Sequence, residues 1–257
     1  GMMHYQQPAL VVDRTGGTWW RGFKALFALG LRHIREGTDH LLFLLLLLLP
    51  APLVAERKRW GAAVGARRSL LQTGKIVTAF TLGHSLTLVL GALWGAELPA
   101  APVEIAIALS ILVSAVHALW PLFAGREALV AGSFGLVHGL AFAAVLAGFG
   151  FDGTSLAVSV LGFNLGVEAM QLAIIALVMP WLAPASRSAH YRFLRLFGAC
   201  FGFVAAAGWL AERAFGLHTR VPGVVEAVAA HAPWLGVALV PVALLCNSSV
   251  AYRRSPR

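Results

Sequence analysis

The chain has 257 residues, of which 59% are hydrophobic and only 12% charged, with a mean hydropathy of +0.78. Soluble domains carry about 25% charged and 45–50% apolar residues, so this composition excludes an ordinary soluble protein and defines an integral membrane one. The net charge of +9 does not point to nucleic acid, because the basic residues gather in short loops between apolar runs, where orientation signals sit. Cys200 and Cys246 lie far apart in apolar surroundings, which suggests neither a disulfide framework nor a thiolate metal site.

In chain order, residues 1–18 read as a short extracytoplasmic leader, without the continuous apolar region that a cleavable signal peptide needs. Residues 19–36, WWRGFKALFALGLRHIRE, read as an amphipathic helix lying at the outer interface. At about 100° per residue, Arg21, Lys24, Arg32 and Arg35 fall on one side, with Phe23, Phe27, Leu31 and Ile34 beside them. Trp19 and Trp20 suit a belt at headgroup level. Candidate transmembrane spans follow at about 38–54, 73–94, 103–123, 128–149, 155–181, 194–212 and 232–251, near the length of roughly 20 residues that crosses a bilayer core. The connecting loops are short. Residues 19–257 are therefore predicted to form a single all-α polytopic bundle of about seven spans.

Lysine and arginine set the expected orientation. The loop 55–72 holds Arg57, Lys58, Arg59, Arg67 and Arg68, and later loops and the tail add Arg126, Arg187, Arg192, Arg253, Arg254 and Arg257. The alternate loops hold only Arg213 and Arg220. This predicts a bacterial cytoplasmic (inner) membrane protein with its N-terminus outside and its C-terminus in the cytoplasm. Three GxxxG segments, GLVHG at 135–139, GFNLG at 162–166 and GACFG at 198–202, would let helix backbones approach closely in lipid.

Ionisable residues inside a membrane are expensive and mark functional sites by default. His84, His138 and Glu168 fall near the middles of spans two, four and five, and Asp39 and His40 at the outer start of span one. Asn164, Glu168 and Gln171 recur at i, i+4, i+7 and share one helix face, as do Ser110, Ser114 and His117. Thr78, Thr81 and Ser85 make a polar stripe alongside His84. In HIREGTDH, residues 33–40, two arrangements are open. A helix running through Gly37 would put His33, Glu36 and His40 on one side, whereas a break at Gly37 would bring Asp39 and His40 to a new helix start.

Imidazole and carboxylate without thiolate suit Ni(II), Zn(II), Co(II) or Fe(II). A ligating histidine also needs a partner for its other ring nitrogen, which Asp39, Asn164, Gln171 or the span-two hydroxyls could supply. A lone intramembrane histidine serves equally well as a helix-bridging donor. His117, nearest the inner end, is read first as a residue meeting water.

The ordered segments HIREGTDHLLF, FTLGHSLTL, PVEIAIALSI, GLVHGLAFA and FNLGVEAMQL, within residues 23–181, resemble the successive signatures of the HupE/UreJ family, in its second subgroup. The resemblance implies a membrane protein associated with hydrogenase and urease accessory functions and with nickel or cobalt permeation. It implies His33, Asp39, His40, His84, His138 and Glu168 as metal contacts. Glu36, Ser85, Asn164, Gln171 and His117 are the supporting polar residues. The expected partners are the lipid bilayer and a metal ion, with a homo-oligomer left open and no nucleic acid. The alternative is an intramembrane zinc-dependent hydrolase of the alkaline-ceramidase-like type, in which histidines and a carboxylate activate water near Ser85. A third alternative is a structural or sensory membrane protein whose polar network only holds helices together. Whether the chain is an enzyme stays open at this point.

Overall fold

The computed structural model describes residues 19–94, 99–147 and 153–231. The leader 1–18, the expected span 232–251 and the basic tail lie outside the described residues. Within them the order is α1 (Trp19–Glu36), α2 (Thr38–Leu48), β1 (Leu53–Glu56), β2 (Arg59–Ala63), α3 (Ala66–Trp94), α4 (Ala100–Leu119), α5 (Glu127–Ala147), α6 (Gly153–Ala185), α7 (Tyr191–Phe215) and α8 (Val221–Ala230). The chain is thus helical and membrane-type. Among the described residues, three stretches, Ala100–Leu119, Leu156–Ala185 and Tyr191–Phe215, are long and apolar enough to cross a bilayer on their own.

The expected first span, 38–54, is shorter than its apolar run suggests. Its helix has 11 residues and ends at Leu48, because Pro50 and Pro52 withdraw backbone donors that a further turn would need. A two-stranded antiparallel hairpin follows, pairing Leu53 with Ala63, Ala55 with Trp60 and Glu56 with Arg59. Arg57 and Lys58 turn it at φ of 43° and 63°, the left-handed pair that matches the twist of a two-residue hairpin loop. The stretch 55–72, expected as a loop, therefore contains this hairpin and the start of α3.

The helix expected to lie on the interface packs instead along the bundle. Phe23 of α1 meets Gly162 of α6, Phe27 meets Gly166, and Gly30 meets the backbone of Phe163 and Val167. A Cβ on Gly30 or Gly166 would overlap the facing backbone, so the GFNLG segment is the seat of α1. Leu26 and Ile34 are buried on that side, while Arg21, Lys24, Arg32 and Arg35 stay exposed on the other. Beyond Gly37, α2 continues along the same neighbour. Leu44 and Leu48 cluster with Ile175, Met179 and Leu182, and the Tyr191 hydroxyl donates to the Leu49 carbonyl at 2.6 Å. Together α1 and α2 form one broken helix running the length of α6.

A second close pair crosses behind it. Gly83 of α3 meets Gly132 of α5, Gly135 meets Phe80 and His84, and Gly139 meets His84 and Thr87. The third GxxxG works differently, since Gly198 and Gly202 of α7 receive the side chains of Leu49 and Leu46.

One end of the bundle gathers the hairpin, the α4–α5 turn and the α6–α7 turn. There Trp60 Nε1–H donates to the His117 carbonyl at 2.9 Å, and the Arg195 guanidinium donates to the carbonyls of Ala118 and Leu119 at the end of α4. At the opposite end Arg213 of α7 pairs with Glu104 of α4 at 3.3 Å, so α4 and α7 run antiparallel.

Candidate metal centre

The break at Gly37 builds the site. Its backbone is extended, at φ −75° and ψ 97°, and separates α1 from α2. A Cβ there would lie 2.6 Å from the His33 carbonyl oxygen and 3.0 Å from His40 Nδ1, so the close approach of the two helix ends requires glycine. Of the two sequence alternatives the broken one is realised: Asp39 and His40 sit in the first turn of α2.

Hydrogen-bond partners assign a tautomer to His40, His84 and His138. Asp39 Oδ1 accepts from the His40 backbone N–H at 2.9 Å and from His40 Nδ1–H at 3.0 Å. That leaves a lone pair on His40 Nε2. Ser110 spends its hydroxyl proton on the Ile107 carbonyl at 2.7 Å, so its oxygen accepts from His138 Nε2–H at 2.9 Å. The lone pair of His138 is then on Nδ1, which faces His40 Nε2 at 3.4 Å. The Asn164 amide donates to the Val160 carbonyl at 2.8 Å, which turns its oxygen toward His84 Nδ1 at 3.2 Å. His84 Nε2 is left buried without a partner, and so is His33 Nε2.

These lone pairs converge. One ligand atom each from His33, His40 and His84 lies within 4.8 Å of the others, and the same holds for Asp39, His40 and His138. Ligands about 2.0–2.1 Å from a first-row ion stand about 3–4 Å apart, so small side-chain rotations would close either set on a cation. The His33 and His40 rings are 4.6 Å apart and those of His40 and His138 4.9 Å apart. Phe80, Phe142 and Phe163 wall the cluster, the last two stacked at 4.4 Å. Such a dry wall strengthens any electrostatic contact made inside it.

Other candidates fall elsewhere. Glu168 is partly exposed, accepts from Thr78 at 2.8 Å and joins neither group. Gln171 accepts from Thr81 at 3.2 Å, and Ser85 donates to the Thr81 carbonyl at 2.7 Å. Glu36 is exposed and pairs with Arg35 at 2.9 Å. His117 lies at the hairpin end, stacked 3.7 Å from Phe123, with Nδ1 accepting from the Leu122 and Phe123 backbone N–H groups. Sequence reasoning missed Ser110 as the partner of His138 and the phenylalanine wall. Its available signal was Ser110 on a polar helix stripe and Phe80 one turn before His84.

Helices seated on one another through glycine, with an imidazole and carboxylate cluster enclosed between them, define a polytopic membrane protein with an internal site suited to a cation. The sequence model of the HupE / UreJ protein family matches residues 7–213. The chain belongs to that family. No protein of curated function and no solved structure matches it.

Proposed function

We propose that the protein is a divalent-metal permease of the bacterial cytoplasmic membrane, with nickel or cobalt as its cargo. The observation that carries this reading is the facing pair His40 Nε2 and His138 Nδ1, 3.4 Å apart, each with its proton committed to the far side of its ring. Two lone pairs in a dry site repel unless a cation lies between them. His84 Nε2 and His33 Nε2 offer two more buried donors beside them. Asp39 is the only carboxylate in either ligand group, so a divalent ion held there keeps a net positive charge. Binding of that kind is strong enough to load and weak enough to leave, as conduction requires.

The hairpin end, with Arg57, Lys58, Arg59, Arg126, Arg187 and Arg192, is the cytoplasmic one on the basic-residue count, which puts the start of α1 outside. Asp39 and the imidazoles at the helix break capture the ion and replace part of its water shell. His117 marks the hairpin end of the path. In the hydrolase reading Ser85 is committed to a backbone carbonyl, so a metal-bound water alone would have to carry the reaction.

The test is nickel uptake into proteoliposomes. His40→Ala and His84→Ala should abolish metal-dependent uptake in protein that still folds; undiminished uptake in both variants would overturn the proposal. A stoichiometric metal retained through chelator washing, with no uptake by the native chain, would favour the hydrolase instead.

A further inference from the structure

At the hairpin end a cavity of about 560 Å³ opens between β2, the end of α4, the α6–α7 turn and the first turns of α7. Three arginines line it: Arg59 from β2, and Arg192 and Arg195 from α7. Among the described residues no carboxylate does. Arg195 is buried and held in place by its bonds to the Ala118 and Leu119 carbonyls. Among the described residues Arg59 and Arg192 make no ion pair. Ser188, also in the lining, has a buried hydroxyl oxygen without a hydrogen-bond partner. The amino end of α7 opens at the same rim and adds its partial positive charge.

Uncompensated guanidinium groups beside an orphaned hydroxyl describe a receptor for an anion with several acceptor oxygens. Apart from Ser186, whose hydroxyl donates to the Ala183 carbonyl, the remaining walls are apolar or aromatic, including Leu53, Trp60, Trp120 and Leu196. Trp120 in that wall is 58% exposed, and outside the cavity Phe193 and Phe197 on α7 are 69% and 76% exposed. Tryptophan belongs at the level of lipid headgroups, and exposed phenylalanine on a spanning helix belongs against acyl chains.

We propose that this cavity binds the phosphate headgroup of an anionic phospholipid, with Arg59, Arg192 and Arg195 on the phosphate, Ser188 donating to one of its oxygens, and the acyl chains lying along Phe193 and Phe197. The site is separate from the imidazole cluster and does not depend on the metal reading. Basic pockets between helices are a recurring form of headgroup recognition.

The experiment titrates the purified full-length chain, in a neutral detergent, with short-chain phosphatidylglycerol, phosphatidylcholine or inorganic phosphate, and follows the thermal unfolding midpoint. Phosphatidylglycerol should raise the midpoint saturably, and phosphatidylcholine should not. In the Arg59→Gln/Arg192→Gln double variant, which alters two exposed side chains, the half-saturating concentration should rise about tenfold or more. Ser188→Ala, which leaves the charge unchanged, should weaken the same response by a smaller factor. An identical response in the native chain and both variants would overturn the site. An equal rise with inorganic phosphate alone would overturn the lipid assignment.

Discussion

His40 and His138 approach each other nitrogen to nitrogen at 3.4 Å, one from the first turn of α2 and the other from the middle of α5. Asp39 fixes the first ring and Ser110 the second, so the contact between them lacks a proton in the neutral state. A cation between the two nitrogens, as proposed, would resolve that contact. His138→Ala is therefore expected to weaken nickel or cobalt binding more than about 100-fold, beyond the range of a lost supporting partner. Calorimetric titration of the purified protein measures this.

Asn164 touches no ligand atom of the cluster except through His84. Asn164→Leu keeps the volume but frees the His84 tautomer, and such supporting partners are worth about 10–100-fold in metal affinity. The expected result is a loss within that range with unchanged helical circular dichroism. An unaltered affinity would mean that His84 is not a ligand.

Glu168 lies on Thr78, outside both ligand groups. Glu168→Gln should leave equilibrium metal affinity unchanged while His40→Ala removes it. A matching loss in both variants would show that Glu168 swings into the site when metal arrives.

Protons compete with metal for imidazole lone pairs, and binding a metal to neutral histidines excludes their protonation. Affinity should therefore fall as pH is lowered, because each proton bound occupies a lone pair that the metal needs. The decline should steepen with the number of histidines bound, and a pH series of the same titration reads that number.

Gly37→Ala places a methyl group 2.6 Å from the His33 carbonyl oxygen. Overpacking of this kind costs about 1–3 kcal/mol, and here the strain falls on the joint that positions Asp39 and His40. Both the unfolding midpoint and the metal affinity should drop, whereas Gly22→Ala, with open space around its Cβ position on helix α1, should leave the affinity unchanged and lower no midpoint.

Much of the site was legible because helical spacing carries it. The histidines and Asn164 were readable as inward-facing groups on different spans, and the GFNLG and GLVHG segments as places of close approach. The seat of α1 was not, because Phe23, Phe27 and Ile34 make the same stripe whether they face lipid headgroups or α6. What selects α6 is Gly30 against Gly166, a match between residues more than a hundred positions apart. The hairpin was hidden for a different reason. The leucine run before Pro50 reads as a full span by hydropathy, and the Arg57–Lys58 turn has none of the glycine or asparagine that usually announces two left-handed residues. Glu168 illustrates the limit of face arguments: sharing a side with Asn164 did not decide which neighbour its carboxylate would meet.

The break at Gly37 also fixes an electrical distance. From His40 to the hairpin end of α2 at Leu48 is eight residues, about 12 Å of helix, somewhat under half of a hydrocarbon core of about 30 Å. In the proposed permease, with the hairpin end at the cytoplasmic boundary, a divalent ion entering the cluster would cross about half of the transmembrane field. At 100 mV that amounts to about 2.3 kcal/mol of work, so the membrane potential itself becomes a term in how readily the imidazoles are loaded.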